Sequence, residues 1–276
     1  MRKLACRADA EFLLAEVTGT RGNVVRTTRG DFEADVLIDA TGWGATLARQ
    51  VSPRYLDKRT LSFGIETVQP YRGEGLLFWY DTVRYRPKHP IWIFPCGDES
   101  RIGVASYVGE TKLKSELERF TRALGVGMDG LHGGYFPYAL REPTVGGIFV
   151  VGDAAGHCFG VTGEGIRGAL YFGQAAGRIV RRVVDGEIVF AQGQAEYRRF
   201  VNSHCIYFTL LFWIQKTFSN APAPLADAIL RFFHLPVVLP LAIRIYVAAL
   251  NPAALRREPD SLGLRVMRSA ELSFAK

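Results

Sequence analysis

The sequence predicts an α/β chain in which a small set of buried strands is interrupted by a β-rich insertion and followed by an apolar helical region. Three observations carry that expectation. The run Gly147-Ile148-Phe149-Val150-Val151-Gly152-Asp153-Ala154-Ala155-Gly156, then Gly160-Val161-Thr162-Gly163-Glu164-Gly165-Ile166, reads as a buried strand that ends in an Asp and a glycine-rich approach to a helix. A second apolar strand, Asp35-Val36-Leu37-Ile38-Asp39-Ala40-Thr41-Gly42-Trp43, runs into a turn of small residues about 110 positions earlier. Beyond about residue 190 the composition shifts to long apolar runs.

In chain order, Arg2 to Ala10 come first, where the family resemblance given below implies the end of a helix. Phe12 to Val17 and Val24 to Thr28 read as strands around the turn Gly19-Thr20-Arg21-Gly22-Asn23, with Gly30-Asp31 turning the chain again, which makes a small β-meander. Further strands are expected at Leu61 to Val68, Gly75 to Tyr80, Ile91 to Phe94 and Arg101 to Val108, punctuated by Pro87, Pro90, Pro95 and Gly97-Asp98. The run Ile148 to Val151 is too short for a helix and too apolar for an exposed strand, so it belongs inside a sheet. Gly152 then carries the chain out of the sheet, and Asp153 stands where α/β sheets bind ligands, with a carboxylate that accepts hydrogen bonds from hydroxyls. Thr162, Gly163 and Glu164 are expected to open the next helix, whose unpaired N–H groups and positive dipole end favour an electron-rich ligand edge. Gly165, Ala169, Gly173 and Gly177 recur every four residues, so one face is nearly bare and suited to close approach by a sheet or planar ring.

A Gly-Asp pair alone marks any tightly packed strand-to-helix connection. The whole run, Gly-Asp-Ala-Ala-Gly followed by Thr-Gly-Glu-Gly-Ile, resembles the second FAD fingerprint of the flavoproteins that include geranylgeranyl reductases, aromatic-ring hydroxylases and flavin-dependent halogenases. The upstream Ala40-Thr41-Gly42 resembles the same group's Ala-Thr-Gly element. The resemblance implies an FAD-binding role for Thr41, Gly42, Gly152, Asp153, Ala154, Thr162, Gly163, Glu164, Gly165 and Ile166. Within that set Asp153 meets ribityl or ribose hydroxyls, and the Gly163 to Ile166 backbone lies at the ring edge. One departure is Gly160, where these families often carry Pro. No Gly-x-Gly-x-x-Gly turn stands ahead of the meander, where the group's pattern places it, since Gly19-Thr20-Arg21-Gly22 has the wrong spacing. Roughly the first 100 residues of the family pattern are therefore expected to be missing, the size of a nucleotide-binding half-domain. The expected fold is an incomplete FAD-binding Rossmann-like domain with an inserted β-rich substrate domain and C-terminal helices. Its divisions are 1–50 and 141–190 for the FAD-binding part, 51–140 for the substrate part and 191–276 for the apolar helices.

Trp92-Ile93-Phe94-Pro95 resembles the Tyr-x-Trp-x-Phe-Pro motif of geranylgeranyl reductases, with Pro90 where Tyr is expected, and Trp92, Phe94 and Pro95 are thereby implied in substrate binding. Trp92 and Phe94 alternating on a strand are equally what a core face shows. The resemblance implies reduction of carbon–carbon double bonds in an isoprenoid lipid by reduced FAD, with NAD(P)H or another reductant as electron donor and a hydrophobic prenyl or aromatic molecule as substrate. A flavin monooxygenase or halogenase is the alternative within the fold, and a non-catalytic truncated fragment is the alternative outside it. No catalytic His, Ser or carboxylate constellation is assigned.

The remaining composition narrows the classes. Lys and Arg outnumber Asp and Glu by 34 to 27 in 276 residues, and no basic stripe with interleaved aromatics suggests nucleic acid. Arg178, Arg181, Arg182, Arg256 and Arg257 read as helix-end and solvated charges, or as contacts to a diphosphate or membrane surface. The cysteines Cys6, Cys96, Cys158 and Cys205 lack paired spacing and there is no secretory apolar segment at the start, which points to a reducing, cytoplasmic setting. Cys158 reads as a buried thiol and His157 as a loop residue rather than a base, and the five scattered histidines predict no metal. Ile206 to Ile214 and Leu235 to Leu250 are apolar but too short or interrupted for a span of roughly 20 residues. Capping a substrate cavity, lying in a membrane interface with peripheral contact, and joining the core are the three roles open to them.

Overall fold

The computed structural model describes residues 10–81 and 88–250. The expectations for residues 2–9, Cys6, Pro87 and Arg256-Arg257 lie outside them. The chain opens on three antiparallel strands, β1 (Val17–Arg21), β2 (Val24–Thr27) and β3 (Gly30–Glu33), in the order β1-β2-β3. The meander is as expected, but its first strand lies later than Phe12 to Val17. Gly22 at a φ of 62° lets Gly22-Asn23 act as a two-residue turn, and pairing therefore runs up to Arg21 opposite Val24. Gly30 starts β3 instead of turning the chain.

The central unit is small. β4 (Leu37–Asp39) lies parallel to β11 (Ile148–Val150), and β10 (Thr144–Val145) pairs antiparallel with the other edge of β11. Both faces of β11 are covered, which is why it is wholly apolar, whereas Ile38 of β4 is 40% exposed. On one side Leu37, Ile148 and Val150 pack against Leu47 and Ala48 of α1 (Thr46–Val51). On the other, Phe149 and Val151 meet Tyr171, Phe172, Ala176 and Ile179 of α3 (Ile166–Val184), behind which Tyr197 and Val201 of α4 (Phe190–Asn202) complete the cluster. The Tyr197 hydroxyl donates to the Val150 carbonyl at 3.0 Å.

Between these halves runs a five-stranded antiparallel sheet, β5 (Leu61–Gln69), β6 (Leu77–Tyr80), β7 (Pro90–Cys96), β8 (Glu99–Ser106) and β9 (His132–Pro137), in the order β6-β7-β8-β5-β9. Its core face carries Ile65, Ile91, Ile93, Ile102 and Val104 against Leu113 and Leu117, the latter on α2 (Lys114–Ala123). Pro90 and Pro95 sit inside β7, paired with Tyr80 and Ser100 near its two ends, where a missing N–H costs little. The C-terminal region is α5 (Cys205–Asn220), α6 (Ala223–Phe233) and α7 (Val238–Ala249).

Helix α3 begins at Ile166, not at Thr162. Positive φ angles of 69° at Val161 and 65° at Gly163 hold Thr162 and Glu164 in a loop ahead of it. Its close approaches also differ from the expected four-residue stripe. A Cβ on Gly168 would stand 2.1 Å from the His157 carbonyl oxygen and one on Gly165 2.9 Å from an Asp153 carboxylate oxygen, while Gly173 and Gly177 face open space.

Candidate functional site

Parallel pairing of β4 with β11 sets the Ala-Thr-Gly turn beside the Gly-Asp turn, and each follows its strand with an acid of opposite fate. Asp39 is fully buried. Its carboxylate accepts from the Thr41 N–H at 3.0 Å, the Thr41 hydroxyl at 2.6 Å, and the Leu47 and Ala48 N–H groups at 3.0 and 2.8 Å. Asp39 thus satisfies the first turn of α1, where a negative charge is favoured. The Thr41 hydroxyl, which also accepts from the Thr46 N–H at 2.7 Å, is a strut within the turn. Gly42, at a φ of 77°, has no other group within 4 Å of where a Cβ would stand, and so leaves its side of the turn open.

Asp153 follows the other strand, in the short 3-10 turn Gly152–Ala155. No donor among the described residues reaches its carboxylate. Burial raises its pKa from the ordinary value, and the nearby Arg141 guanidinium opposes the rise only in part. A half-buried carboxylate without a protein donor is poised for hydroxyls or N–H groups of a ligand. Gly165 keeps one of its oxygens uncovered, because any side chain there would press on it.

The turn itself is held by two residues. Arg141 donates through one terminal nitrogen to the carbonyls of Trp43 at 2.9 Å, Asp153 at 3.3 Å and Ala154 at 3.2 Å, so it fastens both turns together. Burial lowers its pKa from the ordinary value, and its remaining nitrogens Nε and Nη2 have no partner among the described residues. Nothing in the pattern around Arg141 distinguishes it from a solvated arginine, and sequence reasoning missed it. His157 is fully buried, and its Nδ1 accepts the Gly152 N–H at 3.1 Å. Its ring centroid lies 4.1 Å from that of Phe172. Burial pushes its pKa down to about 3, so it is a neutral structural acceptor, in line with the loop role expected of it. Cys158 is buried and its thiol is pushed well above its ordinary value by burial, which makes it unreactive.

The loop from Gly160 to Gly165 is clamped from the C-terminal helices. Val161 is β-branched at a positive φ, a strained state that persists only when its surroundings fix it. Gln215 of α5 accepts its N–H at 2.8 Å, and the Tyr107 hydroxyl donates to its carbonyl at 2.5 Å. The same Gln215 amide donates to the Ser62 hydroxyl at 3.1 Å. Thr162 and Glu164 turn their side chains to α7: the Tyr246 hydroxyl lies 2.7 Å from that of Thr162 and donates to Glu164. Glu164 pairs with Arg167 through two contacts of 2.9 Å. The Thr162 and Glu164 side chains are thus engaged within the fold, and so is part of the loop backbone: the Gly163 N–H donates to the Phe159 carbonyl and the Glu164 carbonyl accepts the Phe159 N–H, both at 3.0 Å, while the Thr162 hydroxyl accepts the Glu164 N–H at 3.4 Å.

Trp92 and Phe94 are not on a core face. The core face of β7 is formed by Ile91 and Ile93, while Trp92 and Phe94 lie half-buried on the other. Their rings stack with centroids 6.1 Å apart, and Phe78 meets Phe94 edge-on at 5.2 Å. The floor beneath Trp92 is glycine: a Cβ on Gly103 would stand 2.1 Å from the ring and one on Gly64 3.4 Å from both Trp92 and Phe136. Phe136 in turn lies 3.3 Å from a Cβ position on Gly163. An aromatic-lined face therefore leads from the Gly163 loop to Trp92 and Phe94. Pro95 points to the opposite face with Ile93, where both flank Gly73.

No family model matches the chain. A digeranylgeranylglycerophospholipid reductase from Methanococcus vannielii is 27% identical to it over 181 residues, 58% of this chain and 44% of that protein. The chain thus spans less than half the length of that relative. Among solved structures, a geranylgeranyl bacteriochlorophyll reductase-like protein from Thermoplasma acidophilum superposes with a TM-score of 0.76 at 19% identity, over 92% of this chain and 71% of the other. HpxO from Klebsiella pneumoniae, solved with FAD and uric acid, superposes with a TM-score of 0.54 at 14% identity, over 78% of this chain and 59% of the other. The chain has the fold of the geranylgeranyl reductase-like flavoproteins.

The two acids make opposite predictions for stability. Asp39→Ala strands four donors and is expected to cost at least about 3 kcal/mol, whereas Asp153→Ala removes an unpartnered charge and leaves stability unchanged or raised. Urea unfolding of both variants measures this, and equal losses would contradict the contrast. The depressed pKa of His157 gives a pH signature. A neutral histidine that resists protonation contributes stability present above its unfolded value of 6.5 and lost as pH falls towards about 3. His157→Gln should flatten stability over that window, and an unchanged slope would remove His157 as its source.

Proposed function

We propose that this chain is an FAD-dependent oxidoreductase that reduces carbon–carbon double bonds of an isoprenoid lipid. The observation that carries the reading is the Asp153 carboxylate, half-buried and without a protein donor at the carboxyl end of the parallel pair. The surrounding groups fit a flavin nucleotide. Gly42 leaves its side of the turn open, and Gly165 leaves the acid uncovered.

In this reading Asp153 accepts hydroxyls of the cofactor, Gly42, Gly152 and Ala154 give backbone close approach, and the Gly163 to Ile166 backbone faces the ring edge. FAD, when bound and reduced by NAD(P)H or another donor, would supply the hydride, and a proton drawn ultimately from water would complete the addition of two hydrogens across the double bond. The work of the protein is placement and exclusion of water. Trp92, Phe94, Phe78 and Phe136 offer an aromatic surface for a prenyl chain, bounded at Trp92 by Glu66, which accepts the indole N–H at 3.3 Å and pairs with Arg101. The similarity to digeranylgeranylglycerophospholipid reductase supports a lipid of this class over a small aromatic.

The test is incubation of the chain with FAD, a nicotinamide nucleotide and a geranylgeranyl lipid, followed by mass spectrometry. The expected product gains two hydrogens per reduced bond. Trp92→Ala should lower kcat/KM about tenfold or more, because the prenyl chain then buries less apolar area against the aromatic surface, without loss of bound flavin. Unchanged lipid in the presence of bound flavin, across a panel of prenyl chains, would refute the reading.

A further inference from the structure

The corner between α6 and α7 presents a run of exposed apolar side chains. These helices meet at 82° across a short break. At the corner Phe232, Leu235 and Val237 are 55%, 49% and 74% exposed, and Leu239 and Leu241 continue the surface along α7. We propose that this corner is a prong that inserts among the lipids of an anionic bilayer surface.

The prong is fixed at its base and bare at its tip. Ala226, with Ile229 and Leu230, packs α6 against Phe218, Ala221 and Tyr107. Tyr246 ties α7 to the Gly160–Gly165 loop through Thr162 and Glu164, and Arg167 donates to the Val247 carbonyl at 3.0 Å. A rigid base with an apolar tip needs no folding on contact, so the burial of the tip is not offset by ordering of the chain.

Charge selects the occupant. Across residues 203–250 the only Asp or Glu is Asp227, against Lys216, Arg231 and Arg244, and these three basic residues are exposed. The Lys216 ammonium lies 5.2 Å from the centroid of Trp213, itself 55% exposed, an arrangement suited to the boundary between headgroups and acyl chains. Apolar tip residues with basic neighbours complement a leaflet that is oily within and negative at its surface. A second copy of the chain would bring the same basic residues together, which disfavours it as the occupant. Among the described residues no single helix is long and apolar enough to cross a membrane. The 12 residues of α7 reach only about 18 Å, so the prong lies in one leaflet.

The test is co-sedimentation of the full chain with vesicles, in the absence of any substrate, so that its outcome is separate from that of the enzymatic reading. The chain should sediment with equimolar phosphatidylcholine and phosphatidylglycerol and much less with phosphatidylcholine alone. Replacing the tip by Phe232→Ser, Leu235→Ser and Val237→Ser should lower partitioning about tenfold or more with unchanged circular dichroism. Arg231→Glu with Arg244→Glu should weaken binding to the anionic vesicles while leaving the tip intact. A chain that stays in the supernatant with both vesicles, a serine variant that still sediments, or equal sedimentation without vesicles would overturn the proposal.

Discussion

The site depends on one short constraint, the parallel pairing of β4 with β11. Three register pairs, ending in Asp39 beside Val150, bring together two turns that lie about 110 residues apart in the chain. So short a ladder does not hold two glycine turns by itself. Arg141 supplies the fastening, because one buried guanidinium reaches carbonyls from both turns, and hydrogen bonds from a charged donor each contribute about 1.5–3 kcal/mol. Asp39 completes the frame by tying its turn to α1.

That frame explains why one acid is free. Asp39 is saturated by donors of its own turn and helix, so it stays out of ligand chemistry. Asp153 comes three residues after the paired strand, where Gly165 stands beside it and gives it no side-chain cover. The loop ahead of α3 is then fixed from outside: Gln215 and Tyr107 hold the strained Val161 peptide, and Tyr246 holds Thr162 and Glu164. The apolar C-terminal helices thus shape the loop beside the candidate cofactor site as well as presenting the exposed corner.

Much of this was legible in the sequence. The apolar run at 148–151 foretold a buried strand because both faces of β11 are covered, the run at 35–43 foretold a strand of which Leu37–Asp39 forms, and four of the five strands of the middle segment were located. Helix α2 was missed although Leu113, Leu117, Phe120 and Leu124 carry its apolar stripe, since only one face of a short helix is buried. Strand β9 was missed because His132-Gly133-Gly134 reads as a turn. Its glycine is needed for a different reason: a Cβ on Gly133 would stand 2.2 Å from the Gly64 carbonyl oxygen. The roles of Arg141, Thr162 and Glu164 rest on contacts across the fold, with partners up to 98 residues away, which no local pattern reveals.

The central claim is that Asp153 is kept free for a flavin nucleotide. Its most direct test is retention of FAD by the purified chain after desalting, read from the visible flavin bands, with Asp153→Ala beside it. The wild-type chain should stay yellow and the variant should release flavin with an affinity lower by about tenfold or more, the effect of losing charged hydrogen bonds, while remaining folded. Equal retention by the two, or no retention by the wild type, would contradict the account.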